Sequence, residues 1–109
     1  MAYDQALASR ARDEMQGLPG FTEKKMFGGV GFLLWGNMAC GVSGDDFIVR
    51  VGKEGHAEAM AQPHTKVFDM TGKPMSGWII VESQGVIDSA DLRRWIDLGV
   101  EYTLTLPPK

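Results

Sequence analysis

The 109 residues predict an α+β fold, a two-layer sandwich in which a mainly antiparallel sheet of five to six strands carries an N-terminal, a middle and a C-terminal helix. Three observations predict it. The first fifteen residues and the last twenty repeat apolar side chains at helical spacing. Between residues 23 and 51, short apolar runs are separated by two to four residues rich in Gly, Asn and Asp, the signature of hairpins. Helical stretches fall before, between and after the strands, so the helices can share one face of a sheet.

Taken in order, residues 3–15 place Leu7, Ala11 and Met15 at four-residue steps with charges on the opposite face, which predicts an amphipathic helix. "GLPG" stops it, with Gly17 as the expected cap and Pro19 preventing continuation. Strands are expected over 24–27, 30–35, 38–42 and 47–51, with turns at Gly28-Gly29, Gly36-Asn37 and 43–46. In "FIVRV", Phe47, Val49 and Val51 should face one side and Ile48 and Arg50 the other. Residues 53–62 read as a short helix ended by Pro63, and 64–68 as a short edge strand. "WIIVES", 78–83, is a strand, and Asp88 or Ser89 caps a last helix carrying Leu92, Trp95, Ile96 and Leu98 and reaching about Thr105. No repeat or internal boundary interrupts the pattern, so one domain spans 1–109.

Composition narrows the function. The chain is 44% hydrophobic and 23% charged, ordinary for a globular domain, and its net charge is −3. Nucleic-acid affinity rests on Lys and Arg neutralising phosphates, so an acidic chain with scattered basic residues is not expected to bind DNA or RNA directly. A single cysteine forms no internal disulfide, and the N-terminus is charged and helical in pattern, which together predict a cytoplasmic protein. The longest apolar run, 30–35, is far too short to span a bilayer.

The most distinctive stretch is "KKMFGGVGFLLWGNMACGV", 24–42, with five glycines and the only cysteine. Phosphate loops need glycines that open a helix; these are followed by a strand and a turn, so they are read as devices of backbone geometry. Cys40 lies within an apolar strand, which favours packing over nucleophilic catalysis with His56 or His64 as base. Two histidines and one cysteine, none at ligand spacing, point to no metal site, and no cofactor is expected. The loop "FDMTGKPMSGW", 68–78, least resembles filler: Asp69, Gly72 and Pro74 suit a tight turn, while Lys73 and Arg50 offer charge to an anionic group beside Met75 and Trp78. Arg50, Asp69, Lys73, Met75 and Trp78 are therefore the candidate ligand- or partner-binding residues, and no residue is assigned to catalysis.

At "KKMFGGVGFLLWGNMACGV", "VRVG", "FDMTGKPMSGW" and "LPPK", in that order, the chain resembles the TfoX/Sxy family, specifically its N-terminal domain. The resemblance runs from the first helix to Lys109. It implies a small α+β fold with an antiparallel sheet. It also implies an association with competence regulation in bacteria, through work with a transcriptional activator. Full-length members carry a further helical domain, which would begin where this chain stops at "LPPK", so the stand-alone form is expected here. The resemblance brings no catalytic residue with it. Three functions follow as expectations: a non-catalytic regulatory module acting through protein contacts, a sensor of a small anionic ligand, and, most remotely, a cysteine-dependent enzyme. A homodimer is expected as well, because a two-layer sandwich leaves one sheet face open.

Overall fold

Asp4 accepts a hydrogen bond from the Leu7 amide at 3.1 Å and so caps the first helix, α1, Gln5–Met15. The helix buries Leu7, Ala8, Ala11 and Met15, the stripe its spacing predicts. The computed structural model describes residues 3–26, 29–68 and 77–108, with the side chain of Met26 excepted. Its further elements are β1 (Phe21–Met26), β2 (Gly29–Leu34), β3 (Asn37–Ser43), β4 (Asp46–Arg50), α2 (Gly52–Met60), β5 (Thr65–Val67), β6 (Trp78–Val81), a single 3-10 turn (Ser83–Gly85) and α3 (Ser89–Thr103).

All six strands join one antiparallel sheet in the order β1-β2-β3-β4-β6-β5. The three-residue β5 is an edge strand, as the sequence predicts. The covered face carries Val30, Phe32, Leu34, Val42, Phe47, Val49, Ile79 and Val81 beneath the apolar stripes of α1 and α3, with Trp95 at the centre of the α3 contribution. The far face carries a smaller cluster of Ile48, Phe68 and Ile80, with Met38 and Trp78 packed against it. Each of its three central residues is at most 9% exposed within one chain. Among the described residues, no helix is long and apolar enough to cross a membrane.

Several boundaries shift for physical reasons. Gly17 is not a left-handed cap: Gln16 ends α1 in right-handed geometry, its amide on the Arg12 carbonyl, and the positive φ falls at Gly20. The first strand starts at Phe21, because the ladder with β2 runs from Phe21↔Leu34 to Met26↔Gly29. The β2–β3 turn is Trp35-Gly36, with φ of 53° and 85°, the doubly positive pair that matches strand twist in a two-residue hairpin. Asn37 thereby becomes the first residue of β3, nearly buried, with Nδ2 donating to the Pro107 carbonyl at 2.9 Å. Asp88 caps α3 by accepting from the Ala90 amide at 2.7 Å, and the helix ends at Thr103.

The described residues of the glycine-rich stretch 24–42 are the end of β1, all of β2, the turn after it and nearly all of β3. Between β2 and β3 the register shifts: Phe32 faces Cys40 but Leu33 faces Met38, so Ala39 is the extra residue of a bulge. Ala39 and Cys40 are both fully buried as a result. At Gly41, a Cβ would lie 2.6 Å from the Val30 carbonyl oxygen and 2.7 Å from Met38 Cε, so only glycine lets the strands pair that closely.

Candidate functional site

The alternation of β4 puts Phe47 and Val49 in the main core and leaves Ile48 and Arg50 on the far face. Arg50 is the last strand residue, and its cross-strand neighbour on β6 is Trp78. Two residues later the chain turns into α2 at Gly52, whose φ is 79°. A Cβ at Gly52 would strike the ring of Tyr102, so glycine is required here both by conformation and by the close approach of α3.

The consequence is a guanidinium close to two aromatic rings. Arg50 Cζ lies 5.2 Å from the centroid of Trp78 and 5.7 Å from that of Tyr102, both within cation–π range. The group borders an open hollow of about 660 Å³ whose walls include Lys53, Glu54, Leu98 and Glu101. Gly77 frames the hollow: its carbonyl accepts from the Val51 amide at 2.8 Å and the Gly52 amide at 3.0 Å. Its own amide donates to His56 Nδ1 at 3.2 Å, a bond that requires this ring nitrogen to be unprotonated.

Arg50 differs from the other arginines in having no hydrogen bond or ion pair among the described residues. Arg12 is bidentate on Glu23 and Arg93 on Glu14, Arg10 donates to the Val86 and Ile87 carbonyls, and Arg94 reaches Gln62 and Asp91. The N–H donors of Arg50, unclaimed by any described residue, are what it offers to an acceptor.

Of the five residues singled out from sequence, Arg50 and Trp78 come together in this hollow, whereas Asp69, Lys73 and Met75 lie outside the described residues. Tyr102, Leu98 and Glu101 enter the hollow without having been singled out. Leu98, which helical spacing places on the apolar face of α3, is 38% exposed and lines the hollow instead. Its one visible signal is the four-residue step to Tyr102, which puts both on the same side of the helix.

Cys40 is elsewhere. It is fully buried, its Sγ 3.3 Å from Met15 Sδ, and burial pushes its thiol well above the ordinary range. His56 is engaged by Gly77 and His64 sits exposed before β5 with φ 65°; neither is hydrogen-bonded to Cys40. Among the described residues, no three of His, Cys, Asp and Glu are grouped to hold a metal ion.

A sequence model of one family, the TfoX N-terminal domain, matches residues 13–102. The chain belongs to the TfoX N-terminal domain family. The match covers the whole sheet and nearly all of α3, so the residues that line the Arg50 hollow of this TfoX N-terminal domain fall within it, Thr105 excepted. No curated protein and no solved structure matches the chain.

Proposed function

We propose that this TfoX N-terminal domain is a non-catalytic regulatory module of the bacterial cytoplasm that acts by contact with a protein partner, and that the Arg50 hollow is the point of contact. The carrying observation is the meeting of Arg50, Trp78 and Tyr102 at one surface hollow. Arg, Trp and Tyr dominate the binding energy of protein interfaces because they combine large contact area with directed polar groups. The competence regulation implied by the family resemblance, exercised alongside a transcriptional activator, is a role that such a contact would serve. The net charge of −3 favours a protein partner over nucleic acid.

Affinity capture from a native bacterial lysate tests the proposal, with wild-type protein beside Arg50→Glu and Trp78→Ala variants shown by circular dichroism to be folded. The expected outcome is a partner retained by the wild type and lost from both variants. A partner that both variants retain, or no specific partner under several conditions, overturns it. Homodimerisation, the other expected association, would have to use a surface other than the centre of the far sheet face, since Ile48, Phe68 and Ile80 are already buried within one chain. Light scattering at twice 11.9 kDa would support a dimer; 11.9 kDa at every concentration would remove it.

A further inference from the structure

We propose that the Arg50 hollow is a carboxylate site, taking a single carboxylate carried on an apolar body. The inference rests on reading the hollow as a contact site and names the group recognised there; the carboxylate belongs either to a free organic acid or to the end of a partner chain. Arg50 carries the argument. Among the described residues it is the one arginine without an acceptor, and two aromatic rings lie within cation–π range of its guanidinium. A planar fork of N–H donors matches the two oxygens of a carboxylate, which it can engage bidentately.

Two further features add to it. The first turn of α2 has no side-chain cap, and Gly77 takes only the Val51 and Gly52 amides, so the Lys53 and Glu54 amides lack an acceptor among the described residues. These amides sit at the positive end of the helix, beside the hollow that Lys53 and Glu54 line. The wall charges then select among anions. Arg50 and Lys53 are opposed by Glu54 and Glu101, so the charged wall is neutral as a whole, and a phosphate or polycarboxylate would meet more repulsion from the two acids than a single negative charge does. Leu98, Trp78 and Tyr102 supply apolar wall, and a hollow of about 660 Å³ is of the size that encloses small organic ligands.

The test is nitrogen-15 NMR of the full chain titrated with 3-phenylpropionate, its neutral amide 3-phenylpropionamide, and inorganic phosphate. The expected result is a saturable shift of the Arg50 Nε–H and of the Lys53 and Glu54 amides with the acid alone. In Arg50→Gln the affinity should fall by at least about tenfold, as loss of a charge-assisted pair requires. Equal shifts with the amide or with phosphate, or no shifts, overturn the inference, and this comparison of ligands stands even if the variant fails to fold. A peptide ending in Gly-Gly-Phe, as free acid and as amide, separates the two sources: tighter binding of its acid than of 3-phenylpropionate assigns the site to a chain terminus, and the reverse to a free acid. Partner capture that depends on Arg50, without carboxylate binding, would sink this inference and leave the proposed function standing. Carboxylate binding without any partner would do the opposite.

Discussion

The thiol of Cys40 touches Met15 and meets no solvent, because the bulge at Ala39 keeps it on the core side of β3. A thiol held this way is inert: a thiol-reactive dye should label the native protein no faster than global unfolding exposes the residue. Cys40→Ser, which buries a hydroxyl among apolar neighbours, should cost about 1–3 kcal/mol in denaturant unfolding. The two tryptophans on the sheet and on α3 differ in the same currency. Trp95 is 1% exposed at the centre of the main core, so Trp95→Ala should cost about 3–5 kcal/mol. Trp78 is only half-buried, on the edge of the small cluster, and Trp78→Ala should cost less, about 1–3 kcal/mol. Equal losses at the two positions would return Trp78 to the core and weaken its role as a contact residue. From sequence alone, Arg50 was identifiable as a candidate because strand alternation sets the side on which it emerges, and Trp78 because it flanks the charged, turn-rich loop that ends at residue 78. Tyr102 was not, because its significance comes from Gly52, fifty positions earlier, letting α3 approach.

Between elements, charged pairs tie the helical layer to the sheet and to itself. Arg12 on α1 grips Glu23 on β1 at 2.6 Å and 2.8 Å, and Arg93 on α3 grips Glu14 on α1. The hydrogen bond from Arg12 holds the Glu23 carboxyl below the usual carboxylate range. A lowered carboxyl contributes stability at neutral pH, where it is ionised in both states. That contribution is lost as pH falls through its value in the folded state. Both side chains are about a third exposed, so screening limits the pair to about 1 kcal/mol or less. Glu23→Gln should therefore lower the melting temperature slightly at neutral pH and leave it unchanged once acid has protonated the wild-type carboxyl. A difference that persists in acid would mean that the substitution acts through packing. The start of α3 was legible at this scale, since Asp88 is one of the two caps its sequence predicts, whereas the helix expected over 3–15 begins only at Gln5, after the cap Asp4. The end of α1 was not: Gly17 looked like a left-handed cap, but the path into β1 places the left-handed residue at Gly20.

Across the molecule, the strand order makes β3 and β4 the interior of the sheet and leaves β1 and β5 at its edges. Opening free energies follow from this placement. Native-state hydrogen exchange should find the amides of β3 and β4 opening only with global unfolding, and those of the three-residue β5 opening first. Uniform protection across all six strands would show that the sheet opens as one unit. The sequence by itself determined the layer composition, the antiparallel hairpins, the inward face of β4 and, Leu98 excepted, that of α3, because each of these depends on spacing within one segment. Only the tertiary structure decided which segments neighbour one another: β6 inserted between β4 and β5, Trp78 opposite Arg50, and Tyr102 over the start of α2. Local periodicity fixes which side of an element is apolar, but it carries no information about which distant element buries that side. The Arg50 hollow is made where three such distant elements meet.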